Sequence, residues 1–305
     1  MCLAPEVLLA LLLHDHDRAA GVHELGGRDQ TCKTSPNDYD IGIHAPIVPR
    51  GLRSGMLQHQ RTGAGPSIVL IHGLLGSHDI FSRVVPLLAD EYDVIALDLP
   101  GHGGSEVAPG VATMRDAADQ VAQTLTQLGV VDPVIVGHSW GGYVTCELIA
   151  SHPASLRAAA IIYSQPYADP PEKQQGRTDA IARFENEPWE DVVRDLFPVY
   201  FADYDPPELF EEAVEITKQA SVDGARFALT TIRDRADHST TIEQTTQIPV
   251  LFVSGSDDAA MPDIPLDAPH VSHHKTRSSH MGPMTVPDEL ARVLKQWIAQ
   301  LDSNR

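Results

Sequence analysis

The run Gly137-His138-Ser139-Trp140-Gly141 has the residue types of a reactive serine turn. It follows a short apolar segment typical of a strand, 132–136, and precedes a helix-compatible segment, 142–150. Strand, sharp turn and helix form the context in which a serine hydroxyl is exposed at the top of a sheet. Flanking glycines are needed where a Cβ would meet the neighbouring strand or helix. Ser139 is therefore predicted to be a nucleophile at a helix N-terminus, where backbone N–H groups favour negative charge. The five residues alone would also fit an ordinary glycine-rich turn.

A serine nucleophile needs a base and an acid that orients the base, and two downstream segments offer them. Residues 248–255 have the pattern of a buried strand, and Asp257 and Asp258 follow it. His280 stands further on, just before a terminal helical pattern. An imidazole is suited to take the proton of a serine hydroxyl near neutral pH. A carboxylate that accepts the other imidazole N–H fixes the tautomer of the base. The predicted catalytic residues are Ser139, Asp258 and His280, with Asp257 as the rival acid.

Five features in this order make the chain resemble the α/β-hydrolase superfamily over about residues 55 to 301. They are His72-Gly73, the loop 98–103 with the sequence Asp-Leu-Pro-Gly-His-Gly, the serine turn, the strand end Gly255-x-x-Asp258, and His280. The chain order Ser, Asp, His is also that of the superfamily. The extension Leu74-Leu75-Gly76-Ser77 looks like that of esterase-type members. A serine nucleophile argues against epoxide hydrolase and haloalkane dehalogenase chemistry, since those enzymes carry aspartate.

The resemblance implies how the remaining groups of the site are arranged. In the family pattern the acid lies three residues after the strand-end glycine, and that position is Asp258 rather than Asp257. The backbone N–H groups of Leu74 and Trp140 are implied to form the oxyanion hole, in which one donor is typically worth about 3–4 kcal/mol. No cofactor is implied.

The other histidines are predicted to be structural. His72, His102 and His138 flank turns of the site and are expected to pack or to hydrogen-bond there. His270, His273 and His274 alternate around a late strand, as metal ligands can. No cysteine or carboxylate accompanies them at ligand spacing, so no metal site is predicted.

Alternating strand and helix patterns around the site predict an α/β fold with a mostly parallel sheet covered by helices on both faces. Residues 56–61 and 67–71 are predicted to be neighbouring strands. Thr113 and Asp116 have the spacing of a capping box at a helix start. The core of the α/β-hydrolase fold is assigned to 51–165 and 248–305.

Residues 166–247 interrupt the alternation and are predicted to form a helical cap. The segment contains seven prolines and nine of the seventeen aromatic residues of the chain. Most of these aromatics are expected in the core of the cap, and two or three are expected to face an apolar substrate. The segment has 18 acidic and 8 basic residues, a net charge of −10. This balance predicts poor binding of anionic substrates.

The composition restricts the partners of the protein. The whole chain has 22 basic and 42 acidic residues and a net charge of −20, which argues against nucleic acid as a partner. Three scattered cysteines, Cys2, Cys32 and Cys146, fit a reducing, cytoplasmic environment. Residues 3–13 are apolar apart from Pro5 and Glu6 but too short to span a bilayer, and residues 1–50 are predicted to be a weakly ordered extension. No stable membrane span is predicted.

The predicted function is that of a serine hydrolase without a cofactor. It would cleave a carboxylic ester, thioester or lactone of a small, largely apolar, non-anionic substrate through an acyl-enzyme. Carbon–carbon bond hydrolysis and aminopeptidase action remain alternatives on the same triad. Proline iminopeptidases share a tryptophan after the nucleophile, as Trp140 here, but their His-Gly-Gly-Pro-Gly loop differs from residues 72–76. A small-molecule receptor of the hydrolase fold with little turnover is a third possibility.

Overall fold

A single seven-stranded sheet organises the computed structural model, which describes residues 56–261 and 264–303. Its strands are β1 (His59–Thr62), β2 (Ser67–Ile71), β3 (Asp93–Leu97), β4 (Val134–His138), β5 (Ala158–Ile162), β6 (Val250–Gly255) and β7 (Val271–Thr276). The order across the sheet is β1-β3-β2-β4-β5-β6-β7. The edge strand β1 is antiparallel to β3, and the remaining neighbours are parallel. The predicted mostly parallel sheet is confirmed.

Ten α-helices occur in the described part of the chain. They are α1 (Val85–Ala89), α2 (Met114–Gln127), α3 (Trp140–Ser151), α4 (Pro171–Asn186), α5 (Trp189–Leu196), α6 (Pro207–Thr217), α7 (Val222–Arg233), α8 (Ser239–Gln244), α9 (Gly282–Thr285) and α10 (Pro287–Ser303). Short 3₁₀ helices lie at His78–Phe81, Pro153–Ser155 and Pro198–Tyr200. The capping box predicted at the start of α2 is present: Thr113 and Asp116 each bond the backbone of the other.

Alternate residues of the central strands supply the cores of two opposite faces. Ile68 and Leu70 of β2 pack in the cluster that contains α1 and α10. Val69 and Ile71 of the same strand pack in the cluster with α2 and α3. Because successive strand side chains point to opposite faces, a strand buried on both sides must be apolar throughout. β3, β4 and β5 are buried along their whole length in the same way. The predicted covering of both faces is therefore confirmed.

The prediction that residues 56–61 and 67–71 form neighbouring strands is wrong, because β3 lies between β1 and β2. The connection between β1 and β2 crosses the turn that precedes β3. At Gly63, with φ of 87°, a Cβ would lie 2.2 Å from the carbonyl oxygen of Tyr92. Arg61 on β1 also pairs with Asp93 of β3 at 2.8 Å. Glycine and this ion pair hold β1 on the far side of β3.

The chain between β5 and β6 contains α4 to α8 and is called the helical insertion below. Its main internal packing is between α4 and α7. Its first residues meet the residue that precedes α8, since the His238 N–H donates to the Pro166 carbonyl at 2.8 Å. The predicted cap, 166–247, falls within this insertion.

Two further sequence predictions concern membranes and the N-terminus. Within the described residues, no helix is both long enough and apolar enough to cross a membrane. The predicted extension 1–50, with Cys2 and Cys32, lies outside the described residues. Cys146 is buried and has a free thiol.

Candidate active site

Ser139 lies at the turn between β4 and α3 in a backbone conformation that non-glycine residues rarely adopt. Its φ is 52° and its ψ is −114°. Such a conformation costs energy and persists only where neighbours hold it. The Ser139 N–H donates to the Ile162 carbonyl of β5 at 3.0 Å. The Ser139 carbonyl accepts from the Gly142 N–H at 2.8 Å and from the Ser164 hydroxyl at 2.7 Å. The neighbouring strand and the following helix together fix the serine at the carboxyl end of β4.

The glycines of the serine turn are required by close backbone approaches. A Cβ on Gly137 would lie 2.2 Å from the Gly141 carbonyl oxygen, and one on Gly141 would lie 2.2 Å from the Ile71 carbonyl oxygen. These obstacles are backbone atoms, so they cannot rotate away. The pattern Gly-x-Ser-x-Gly therefore follows from the contact between α3, β4 and β2.

A chain of hydrogen bonds joins the three residues predicted to be catalytic. The Ser139 Oγ lies 2.9 Å from Nε2 of His280. The Nδ1 of His280 lies 2.9 Å from Oδ2 of Asp258. The side chains of His280 and Asp258 are 3% and 0% exposed. The second carboxylate oxygen of Asp258 accepts the N–H groups of Ala260 and Met261 at 2.9 and 3.0 Å. With both oxygens occupied, the carboxylate has a fixed orientation toward the imidazole.

The rival acid, Asp257, lies elsewhere. Its side chain is at the surface, and Oδ2 accepts the Tyr204 hydroxyl at 2.9 Å and the Ser256 hydroxyl at 2.6 Å. It makes no hydrogen bond to His280 among the described residues. The structure thus places Asp258, not Asp257, at the candidate base.

The imidazole of His280 is enclosed by aromatic rings. Tyr200 of the helical insertion stacks on it with centroids 4.9 Å apart and planes inclined by 30°. His138 donates from Nε2 to the His280 carbonyl at 3.0 Å. Burial lowers the pKa of His138 to about 3, with a smaller contribution from repulsion by His280. His138 therefore stays neutral near neutral pH and holds the backbone of His280.

The two groups predicted to form an oxyanion hole have no protein acceptor. Neither the Leu74 N–H nor the Trp140 N–H donates to a backbone or side-chain acceptor within the described part of the chain. Leu74 and Ser139 line the same cavities. Trp140 is the first residue of α3, where N–H groups have no intrahelical partner. Its indole is fully buried, and Nε1 donates to Thr231 Oγ1 at 3.0 Å. Two backbone donors are thus available beside the serine.

The loop that carries Leu74 is held from the end of β3. His72 accepts the Leu99 N–H on Nε2 at 2.9 Å and donates from Nδ1 to the Gly73 carbonyl at 2.7 Å. The carboxylate of Asp98 accepts the backbone N–H of His78 at 2.8 Å. Burial lowers the pKa of His72 to about 4, which keeps Nε2 free of a proton and able to accept. The loop 98–103 therefore positions the loop 72–78.

The remaining histidines lie away from the reacting atoms. His102 packs against Trp140 with ring centroids 5.0 Å apart and donates from Nδ1 to the Pro100 carbonyl at 3.0 Å. Nε2 of His270 lies 2.8 Å from the Ile242 carbonyl oxygen, and Nε2 of His273 lies 2.7 Å from that of Leu266. His274 lies near Glu289 at 3.9 Å. In residues 56–261 and 264–303, no group of three or more His, Cys, Asp or Glu side chains could hold a metal ion.

Two cavities open on Ser139 from different sides. The first also touches His280 and is walled mainly by apolar side chains, among them Ile80, Phe197, Ile216 and Met281. The second is polar. Its lining includes Tyr143, Gln165, Asp169, Lys173 and Arg177. Tyr200 and Leu74 also line both cavities.

Sequence reasoning did not identify Tyr200 or the charged residues of the polar cavity. Of the nine aromatics in the insertion, Phe184, Phe197 and Phe227 are buried in core clusters. No spacing distinguishes Tyr200 from them. The weak signal for the charged residues is the i, i+4 spacing of Lys173 and Arg177, which places both on one face of α4.

A family model described as the alpha/beta hydrolase fold matches residues 66–190. The matched stretch runs from β2 through α4 and includes the serine turn. The protein has the α/β-hydrolase fold. The resemblance inferred from the sequence is thereby confirmed.

Individual relatives agree with this assignment. A segment of 111 residues is 35% identical to an uncharacterized hydrolase, YugF, of Bacillus subtilis and covers 36% of this chain and 41% of that protein. A segment of 104 residues is 35% identical to the pimeloyl-[acyl-carrier protein] methyl ester esterase of Chromobacterium violaceum. It covers 34% of this chain and 39% of that protein. A thermophilic esterase from Thermogutta terrifontis, in a malate-bound structure, superposes with a TM-score of 0.73 and 25% identity over 80% of this chain and 93% of that one. The matches to the first two therefore span less than half the length of each relative.

Proposed function

We propose that the protein is a serine hydrolase that cleaves a carboxylic ester, thioester or lactone of a small molecule through an acyl-enzyme on Ser139. The observation that carries the proposal is the unbroken chain from the Ser139 Oγ through His280 to Asp258, beside two N–H groups without acceptors. The coarser part, a hydrolase of the α/β fold with esterase-type relatives, rests on the comparisons.

The acylation step follows from these distances. The Ser139 hydroxyl gives its proton to Nε2 of His280 while Oγ attacks the substrate carbonyl carbon. The imidazolium that forms is stabilised by Asp258, which accepts the Nδ1–H at 2.9 Å and remains ionised. The carbonyl oxygen gains negative charge and accepts the N–H groups of Leu74 and Trp140. Donors that are fixed before the reaction stabilise this charge without reorganisation.

Leaving-group departure and deacylation use the same base. His280 returns its proton from Nε2 to the leaving oxygen or sulfur as the tetrahedral intermediate collapses. A water molecule then takes the place of the leaving group, His280 removes its proton, and the hydroxide attacks the acyl carbon. The second tetrahedral intermediate collapses, the bond between the acyl carbon and Oγ breaks, and His280 returns its proton to the Ser139 Oγ as the carboxylic acid is released.

The apolar cavity supports a substrate with an apolar part. It touches His280, so a group seated there can receive the proton that His280 donates. Phe197 and Tyr200 come from the helical insertion, which supports a role for the insertion as the cap over the site. The net charge of 166–247 predicts a non-anionic substrate, but basic residues of that segment line the second cavity and favour an anionic one.

A fluorophosphonate probe tests the proposal. We expect one adduct, located on Ser139 by mass spectrometry, and hydrolysis of 4-nitrophenyl esters. Ser139→Ala should lose the adduct and at least about 10³-fold in kcat, because members of such a triad act as a unit. Ser82→Ala, which removes an exposed serine outside both cavities, is the matched control and should label like the wild type. Labelling of the Ser139→Ala protein at the wild-type level would refute the proposal.

A further inference from the structure

The polar cavity beside Ser139 contains a cluster of charged residues from three parts of the chain. Asp169 follows β5, Lys173 and Arg177 lie on α4, and Arg235 follows α7. Asp169 is 1% exposed at its side chain. It accepts from Nη2 of Arg235 at 2.7 Å and from Nε of Arg177 at 3.2 Å. One buried carboxylate thus serves two arginines.

Each guanidinium nitrogen of Arg235 has a hydrogen-bond partner in the protein. Its side chain is 3% exposed, and it also donates to the carbonyls of Tyr167 and Ile232 at 2.8 and 2.7 Å. Its guanidinium carbon lies 4.0 Å from the centre of the Tyr143 ring. Because Tyr143 is in the first turn of α3, Arg235 ties the cluster to the helix that begins at the serine. Its role is to hold Asp169 and the wall of the cavity.

Arg177 and Lys173 are different, because both line the cavity. Arg177 meets Asp169 with Nε at 3.2 Å, its guanidinium also interacts with the Tyr200 hydroxyl, and its side chain is 15% exposed. Lys173 makes no hydrogen bond and no ion pair with the residues that the structure describes. Burial lowers the pKa of Lys173, and the nearby Asp169 opposes that effect. The cluster has three cationic side chains and one anionic one, and the carboxylate is already occupied.

Lys173 and Arg177 are partly buried and share the carboxylate of Asp169 with Arg235, so the cavity has a net positive charge that favours an anion. The other carboxylate near the serine, Asp258, is engaged by His280 and two backbone N–H groups and does not offset the cluster. The acidic residues behind the net charge of the insertion are largely at its surface. Glu190 and Glu211, for example, pair with Arg194 and have exposed side chains. The net charge of the segment therefore does not describe the charge of the site.

We propose that the substrate carries a carboxylate, bound by Arg177 and Lys173 in the polar cavity while the reacting carbonyl lies at Ser139. This inference rests on the proposed hydrolase function and names its substrate class, an ester or related acyl compound with one anionic end and one apolar part. The planar fork of arginine suits a carboxylate, and the flexible lysine adds a second charge. Tyr200 lines both cavities, so it would contact both the anionic and the apolar part of such a substrate.

Paired esters that differ by one charge test the proposal. Mono-4-nitrophenyl glutarate is compared with 4-nitrophenyl pentanoate, which places the carboxylate on the acyl side. 4-Carboxyphenyl pentanoate is compared with phenyl pentanoate, which places it on the alcohol side. We expect kcat/KM to favour the charged member of one pair, and that pair shows on which side of the ester bond the anion lies. Preference for the neutral member in both pairs would overturn the proposal.

Substitutions at Arg177 and Lys173 test whether these residues cause the preference for the charged ester. Arg177→Gln should lower the charged-to-neutral ratio of kcat/KM about tenfold or more, as expected for loss of a charge-assisted hydrogen bond. Lys173→Gln should lower it by about threefold, and it breaks no ion pair, so folding is not at issue. Arg226→Gln and Lys218→Gln are matched controls. They remove the same charges from exposed positions of the insertion and should leave the ratio unchanged. A ratio that is the same in Arg177→Gln and in the wild type would also overturn the proposal.

A binding measurement separates this proposal from the hydrolase proposal. Glutarate is titrated calorimetrically into the Ser139→Ala protein, in which no acyl-enzyme can form. We expect binding that weakens about tenfold or more when Arg177→Gln is added. Binding of this kind without ester hydrolysis would refute the hydrolase proposal alone. Ester hydrolysis without charge preference and without glutarate binding would refute the carboxylate site alone.

Discussion

The ring of Tyr200 stacks on the imidazole of His280, with centroids 4.9 Å apart. This contact joins the helical insertion to the candidate base, because Tyr200 ends the 3₁₀ helix Pro198–Tyr200 and His280 follows β7. Tyr200 is itself held by Phe197, whose ring lies 5.3 Å away at 78°. The position of the insertion therefore affects the orientation of the imidazole.

Tyr200→Ala should lower kcat for a neutral 4-nitrophenyl ester by about tenfold, since a small displacement of a catalytic group costs one to two orders of magnitude. Tyr200→Phe keeps the stacked ring and should lose less. Steady-state kinetics of both variants, with thermal melts to compare folding, measure the difference. Equal losses in the two variants would mean that the hydroxyl, not the ring, matters.

Asp258→Asn should lower kcat by about 10³-fold or more while the protein stays folded, because the amide favours the wrong imidazole tautomer. Asp257→Asn is the matched control. It removes the same charge one residue away, from a surface carboxylate bonded to Tyr204, and should cost less than about threefold. Ester kinetics on the two variants decide the assignment, and reversed magnitudes would contradict it.

Gly141→Ala should destabilise the protein by about 2 kcal/mol or more, because its Cβ would lie 2.2 Å from the Ile71 carbonyl oxygen and 2.7 Å from that of His72. Gly104→Ala is the control. There the nearest atom is the Cγ of the Gln58 side chain at 2.9 Å, which can move. Urea unfolding gives both free energies. A Gly141→Ala protein as stable as Gly104→Ala would show that α3 can shift away from β2.

His102 should make the protein less stable in acid. Burial lowers its pKa from 6.5 to about 3, so between these values the unfolded chain binds a proton that the folded protein does not. The contribution of His102 to the free energy of unfolding is largest above pH 6.5. It decreases by about 1.4 kcal/mol per pH unit as the pH falls from 6.5 toward 3. His102→Asn keeps a donor for the Pro100 carbonyl and should reduce the slope of unfolding free energy against pH by that amount. An identical slope in His102→Asn and in the wild type would show that His102 takes up its proton while folded.

The sequence was sufficient to predict the fold and the neighbourhood of the serine, for a physical reason. Apolar runs such as β4 and β6 indicate a parallel sheet, and the loops at one end of such a sheet must meet. Ser139, Asp258 and His280 each follow a strand, so their chain order indicates which loops carry them. The order of β1 and β2 was not predictable in this way, because no local pattern states which strand lies between two others.

The charged cavity was also beyond sequence reasoning. Asp169, Arg177 and Arg235 come together only when α4 and the end of α7 fold back on the loop after β5. The net charge of 166–247 does not reveal this arrangement, because it counts the exposed glutamates and the arginines at the cavity equally. The role of Tyr200 could not be predicted from the sequence for a similar reason, since its contact with His280 joins segments that are far apart in the chain.

The bond between the His238 N–H and the Pro166 carbonyl has a consequence for protein engineering. The segment 166–238 leaves and returns at nearly one point, and His238 is also fixed to Glu147 of α3 at 2.9 Å. A foreign segment of different length could therefore be transplanted between these two residues without changing the spacing of β5 and β6. Chimaeras joined there would keep the serine turn and exchange in a single step the part of both cavity walls that lies within 166–238.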